Sequence, residues 1–198
     1  LEKNRRHLHH DFMMNDSISL SEISDLRMAN AMRGALPEAD RGSRRALTSG
    51  ALDMLAAGRM ERLHHLPDEA LPGLRALEEN DVVLLARGGL RAVAYAGPPG
   101  VVVPFSPLIV LRVADQGRAD PRYVAAILNL PSTRARAEAQ MQGTSIPMLG
   151  RKEIAAMKIP LPPIARQRLI VEVVDLQARE AALLQDLSRA RSRLLAAL

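Results

Sequence analysis

Apolar positions in this chain follow two periods: short alternating runs before residue 113, and helical spacing after residue 120. Residues 18–28 (ISLSEISDLRM) alternate loosely and predict a short strand or helical turn that opens a domain. Residues 30–50 have no period, are rich in Arg, Gly, Ala and Ser, and contain Pro37. They read as a flexible basic loop carrying Arg33, Arg41, Arg44 and Arg45. Residues 51–66 fit short strands or helix equally, and 71–79 read as a helical turn leading into a strand. The signal sharpens at 82–86, a Val/Leu run ending at Arg87-Gly88-Gly89, which predicts strand then turn. A second short strand falls at 92–96, a turn at Gly97-Pro98-Pro99-Gly100, and further strands at 101–103 and 108–113. Such closely spaced short strands predict a compact, strongly curved sheet.

Asp120-Pro121 then supplies a helix start, with Asp at the cap and Pro in the first turn. This helix runs to about Leu130, and Pro131 starts another that ends near Gly143. Residues 144–149 read as extended and 150–157 as a short helix. Pro160, Pro162 and Pro163 force 159–164 to be extended.

From about Ala165 to the end there is neither Gly nor Pro. Leu169, Val173, Leu176, Leu183, Leu187 and Leu194 recur at alternating three- and four-residue steps, with Ala190 and Ala197 completing the stripe. Ile170, Leu184 and Leu195 widen it, and Glu180 interrupts the seam as a register-setting polar residue. A helix of this length spans ~50 Å, which outreaches a domain of this size. Pairing with another helix is therefore expected in preference to packing on its own domain.

Composition adds less. Hydrophobic residues make up 47% and charged residues 25% of 198, as in an ordinary globular domain. Net charge is +5, and the only lysines are Lys3, Lys152 and Lys158, so the basic surface is arginine. Arginine's planar donor fork suits phosphate oxygens and guanine edges. Aromatic residues at 2% argue against a single-strand binder that stacks bases. Cysteine is absent, which removes disulfides, thiolate chemistry and Cys-based zinc sites and fits a reducing cytoplasm. No apolar run approaches the ~18 residues of a membrane helix, and no signal peptide is visible. Residues 1–12, basic and His-rich with no period, read as a loose tail or start-site artefact ahead of Met13 and Met14. His7, His9 and His10 in that tail are expected to bind metal only adventitiously.

Several stretches together resemble the specificity (S) subunit of type I restriction-modification systems. Asn80-Asp81-Val82-Val83-Leu84-Leu85-Ala86-Arg87-Gly88 resembles that family's strand-and-turn, usually written with Gly-Asp. Ser106-Pro107-Leu108-Ile109-Val110-Leu111-Arg112 resembles its next strand, and Asp120-Pro121-Arg122-Tyr123-Val124 through Leu128-Asn129 its following helix. Gly143-Thr144-Ser145-Ile146-Pro147, then Ile159-Pro160-Leu161-Pro162-Pro163, then Gln167-Arg168 and Ile170-Val171, is similar to the closing signature of a target recognition domain. The last series is the more specific, and clear motifs occur only after residue 80. The resemblance implies a domain that reads half of a split duplex DNA site. It further implies a long spacer helix that pairs with its counterpart, and a DNA methyltransferase subunit docked around that spacer, with a restriction subunit as a further partner. Most members carry two such modules in one chain. One module and no internal repeat are found here, which implies either a homodimer of half-subunits in the cytoplasm or a truncated or specialised relative; a homodimer is expected to read a two-fold symmetric, interrupted site.

Catalysis in the chain itself is not expected, and no cofactor or metal site is assigned. Asp120-Pro121-Arg122-Tyr123 approaches an adenine-methyltransferase loop, but Arg122 stands where a second Pro belongs, and capping explains the motif. No Asp or Glu stands two residues before Lys152 or Lys158, as a Pro-Asp/Asp-x-Lys nuclease requires. No nucleophile elbow or phosphate loop occurs. His64-His65 beside Asp68 and Glu69 imitates a metal corner, but adjacent strand residues face opposite ways, and a surface loop is the expected home.

The expected architecture is α+β. A tail covers 1–16, and a curved, mostly antiparallel sheet domain with flanking helices covers 17–163. A long C-terminal coiled-coil-like helix covers 164–198. DNA contacts are expected from Arg41, Arg44 and Arg45 in the basic loop, and from Arg87 and Arg91 around Gly88-Gly89. Arg151 and Lys152, opening a short helix, complete the set. The competing expectation is a helix-mediated assembly protein or decoy that holds the methyltransferase without reading DNA.

Overall fold

The computed structural model describes residues 17–196 except 33, 38, 69–72 and 142–146. The tail at 1–16, Arg33, Glu69, the Gly143-Thr144-Ser145-Ile146 stretch and residues 197–198 lie outside the described residues.

A four-stranded antiparallel sheet forms the centre, in the order β2 (Ser24–Met28), β8 (Ile109–Val113), β5 (Asp81–Leu85), β6 (Arg91–Ala94). Alternation assigns its two faces. Val82, Leu84, Ile109, Leu111 and Val113 point into one core, and Val83 and Val110 into another. Both faces are covered, so β5 and β8 read as near-continuous apolar runs. Asn80 enters β5 with φ of +70°. It occupies the place of the Gly in the resembling Gly-Asp motif, and Asn is among the few other residues that tolerate this conformation.

A second sheet, in the order β4 (His65–Leu66), β3 (Arg44–Leu47), β7 (Val102–Pro104), packs on the second core together with α1 (Leu52–Ala56). Its β3–β7 pair is parallel, an exception among otherwise antiparallel pairings. The last pair joins β1 (Ser17–Ser19) to β9 (Lys158–Pro160), tying the start of the domain to the segment just before the long helix.

Helices cover the first core: α2 (Pro121–Asn129), α3 (Pro131–Gln140) and α4 (Arg151–Ala156). Asp120 caps α2, its carboxylate accepting from the Arg122 and Tyr123 amides at 2.8 and 3.4 Å. Tyr123 is buried and donates its hydroxyl to the Pro160 carbonyl at 2.8 Å, and burial pushes its pKa up to about 12. This short motif thus serves to start and anchor a helix. At the other end of α2, Asn129 accepts from the Ala92 amide and donates to the Ala92 carbonyl, at 3.0 and 2.7 Å. It occupies the free edge of β6 as a neighbouring strand would.

The long helix α5 (Ile164–Ala196) is rooted by Gln167, which is fully buried. Its Oε1 accepts from the Asp120 amide at 2.9 Å, and its Nε2 donates to the carbonyls of Arg118 (2.9 Å) and Pro162 (2.7 Å). Val171 enters the first core, and Arg122 pairs with Asp175. Residues 176–195 are then exposed throughout, a projection of ~30 Å at the helical rise.

Three local expectations are corrected. Within the presumed loop at 30–50, residues 44–47 form β3, and Arg44 and Arg45 sit on a strand held from both sides. Four residues beginning with two arginines are too short to show a period; burial of Ala46 and Leu47 stabilises the strand instead. Residues 74–78 are irregular and not a helical turn, since the Leu77 amide is taken by the Val102 carbonyl at 2.7 Å. His65 lies half-buried on β4, not on a surface loop. Its Nδ1 meets the Gly42 carbonyl at 2.9 Å and its Nε2 meets Arg45 Nη1 at 3.0 Å. Gly42 is required there, because a Cβ would lie 1.9 Å from the Leu66 carbonyl oxygen.

Candidate nucleic-acid interface

A basic feature among the described residues lies where the two larger sheets meet, with Arg27, Arg44, Arg75 and Arg112 lining one groove. Asp81 at the start of β5 faces Arg112 on β8 in register, on the same sheet face as Arg27 of β2. Asp81 is fully buried. It accepts from Arg112 Nε at 2.8 Å and Nη2 at 2.9 Å, and from the Glu78 amide at 2.9 Å, with Arg27 Nη2 at 3.9 Å. The two-point grip fixes the Arg112 guanidinium as a planar fork and raises its pKa. Arg27 donates Nη2 to the Ala76 carbonyl at 3.0 Å, and its buried Nη1 has no hydrogen-bond partner. Burial lowers the Arg27 pKa, and Asp81 acts in the opposite direction.

These groups form one wall of a groove of about 510 Å³. Arg44 from β3 and Arg75 from the irregular segment line it as well, with Glu78 and Gly100. The Arg44 and Arg75 side chains are exposed and make no hydrogen bond or ion pair to a described residue. Four guanidiniums thus line the groove with Glu78, above the buried Asp81, while Asp25 acts on Arg112 and Asp68 on Arg44. Guanidiniums so placed offer donors to an anion.

Of the residues expected to bind DNA, the fold brings only Arg44 into this groove. Arg45 turns inward and donates to the carbonyls of Glu61 and Leu63, at 3.2 and 3.3 Å, and meets His65. Arg41 is exposed nearby in sequence. Arg87 and Arg91 lie at the opposite end of β5 from Asp81. Arg91 there pairs with Asp53, holding that carboxylate below its usual range, and Arg87 bridges to Met148. Arg151 reaches the Leu26 carbonyl at 3.4 Å, and Lys152 is exposed beside it. Arg27, Arg75 and Arg112 escaped the sequence reading. The usable signal was the Arg within each of the runs SDLRM and IVLRV, a charge at an otherwise inward-facing strand position.

The second candidate surface is the α5 stripe. Leu169, Val173, Leu176, Leu183, Leu187 and Leu194 are all exposed, as are Leu184 and Leu195. Exposure reaches 71% at Leu187 and Leu194, so these side chains do not belong to the domain's own core. Among the described residues no helix is long and apolar enough to cross a membrane. The stripe is a one-sided apolar surface along the projecting helix.

No protein-family profile matches the chain. No curated protein matches it by sequence either. Solved structures do match by fold. The type I restriction-modification S subunit from M. genitalium aligns over 81% of this chain and 38% of its own, at 14% identity and TM-score 0.53. The HsdS subunit from Thermoanaerobacter tengcongensis aligns over 92% of this chain and 44% of its own, at 16% identity and TM-score 0.59. A chain from a structural study of complex assembly and conformational transition in the type I system aligns over 90% and 44%, at 17% identity and TM-score 0.59. The chain spans less than half the length of these proteins. Its sheets, flanking helices and projecting α5 together make the fold of a type I restriction-modification S subunit.

Proposed function

We propose that this chain supplies one DNA-reading module of a specificity subunit: it reads duplex DNA without catalysing a reaction, and a second copy paired through the long helix completes the split site. The observation that carries the reading is the pairing of an arginine-lined sheet domain with an exposed, leucine-striped helix in one S-subunit-like fold. Residues 17–163 act as the target recognition domain and 164–198 as spacer and pairing element. The DNA-facing set comprises Arg41, Arg44, Arg87, Arg91, Arg151 and Lys152, in proportions that the groove below refines. A cytoplasmic methyltransferase subunit, and with it a restriction subunit, docks around the paired helices.

The charges flanking the stripe support a particular pairing. Assigning Leu169 to heptad position d places Glu172, Arg179, Asp186 and Arg193 in one g row. Their signs alternate. In an antiparallel pair, where g faces g, Glu172 meets Arg193 and Arg179 meets Asp186, each twice by symmetry. The same alignment sets Leu169 across from Leu194 and Leu176 across from Leu187. A parallel pair would place Glu180 on its own copy within the seam. Complementarity of this kind selects orientation and register more than it adds affinity.

The exposed helix alone equally suits an assembly protein or decoy. Titration of duplex DNA at several salt concentrations separates the two. A reader that neutralises phosphates loses affinity steeply, with a log–log slope of about −0.9 per phosphate. Binding of the methyltransferase with no salt-sensitive duplex binding would establish the assembly role instead.

A further inference from the structure

We propose that the groove between the two sheets seats a phosphate of the DNA backbone, with Arg112 as its fixed donor and Arg44 and Arg75 closing over it. The inference rests on the DNA-reading function and names the part of the surface that positions the duplex without choosing its sequence.

Asp81 anchors this wall. A carboxylate fully buried at the start of a central strand would be costly on its own. Here it orients one guanidinium in a two-point grip and leaves that arginine's other amino group, Nη1, with no hydrogen-bond partner among the described residues. Arg27, beside it, also keeps an unpartnered Nη1 in the same wall. The Arg112 side chain is 44% exposed, so its Nη1 is open to an acceptor oxygen, while the buried Arg27 Nη1 adds charge to the wall. Arg44 and Arg75 approach from β3 and the irregular segment, exposed and with no ion pair to a described residue, so they are available to close on a ligand. Among the described residues Glu78 is the carboxylate lining the groove itself, against four lining guanidiniums.

The chemistry favours phosphate over a base edge. Base readout needs a side chain free to project into a DNA groove, whereas Arg112 is held on Asp81 by two hydrogen bonds and Arg27 is tied to the Ala76 carbonyl. A phosphate, with its charge and outward oxygens, reaches donors so held from the duplex surface. Gly100, at φ +79° and with open space where a Cβ would stand, keeps the rim low enough for a backbone to approach.

The test compares the full chain with a double variant, Arg44→Ala with Arg75→Ala, and with a control, Arg59→Ala with Arg136→Ala, that removes the same charge from exposed positions outside the groove. Affinity is measured against salt for a duplex retained from a random pool and for a scrambled duplex. The groove variant should bind both duplexes about tenfold more weakly, with a salt slope shallower by roughly one phosphate equivalent and an unchanged enriched motif. The control should keep the wild-type slope. Duplex binding by wild type with a slope that the groove variant leaves unmoved, or that both variants alter equally, overturns the groove alone. A motif altered at one position in the groove variant makes the site a base reader and overturns the phosphate assignment. Loss of methyltransferase binding with duplex affinity intact assigns the groove to the protein partner and likewise overturns it. Absence of any duplex binding by wild type overturns both the groove and the DNA-reading function.

Discussion

Replacing Gln167 by leucine probes how firmly the long helix is held to the domain. The side chain is fully buried and satisfies three main-chain groups: the Asp120 amide and the carbonyls of Arg118 and Pro162. Leucine fills a similar volume and satisfies none of them. A net hydrogen bond contributes about 1 kcal/mol, and more where the abandoned partner stays dry, so Gln167→Leu should cost about 3 kcal/mol. With a urea dependence of about 2 kcal/mol per molar, the unfolding midpoint by circular dichroism should fall by roughly 1.5 M. Gln167→Glu sharpens the test. Its ionised carboxylate still accepts from the Asp120 amide but faces two carbonyl oxygens, and protonation in mild acid restores a donor. Stability relative to wild type should therefore recover as pH falls. A midpoint shift below roughly 0.3 M in Gln167→Leu, or no acid recovery in Gln167→Glu, would refute the idea that this residue fixes how α5 leaves the domain.

Three further outcomes follow from the same structure. The Tyr123 phenol is held up to about 12, above its unfolded value of about 10, so the stability it contributes is complete below pH ~10 and lost as pH climbs from there through 12. Wild type should lose about 3 kcal/mol more over that range than Tyr123→Phe, measured by urea unfolding at each pH. Asn80→Val forces a β-branched residue into the left-handed region and should cost about 1–2 kcal/mol, whereas Asn80→Gly should be close to neutral by thermal unfolding. Leu176→Glu combined with Leu187→Glu places acids on the exposed stripe, and sedimentation should show a monomer whose domain unfolds as wild type does.

How much of this was readable in the sequence depends on whether an element's determinants are local. The helix α5 was legible because its stripe is regular over many turns and most of it touches nothing else in the chain. Strands β5 and β8 were legible because burial on both faces makes them near-continuous apolar runs. The start of α2 followed from Asp120-Pro121, a signal confined to adjacent residues. Strand β3 was not legible: Arg44 and Arg45 mask a strand whose stability comes from Leu66 and Val103, distant in sequence. The arginine groove was hidden for the same reason. Register across β2, β8 and β5 brings Arg27, Arg112 and Asp81 together, and no spacing along the chain encodes that register. Arg45, expected at the DNA, donates in this fold to two carbonyls and meets His65.

The central claim is that two copies of this chain read a split duplex site. The most direct measurement incubates the chain and the methyltransferase subunit of its own genome with a pool of random duplexes, then sequences what is retained. The account predicts one motif in two inverted copies, separated by a spacer of fixed length. Retention of the methyltransferase with no enriched motif, or enrichment of a single asymmetric half, would contradict it.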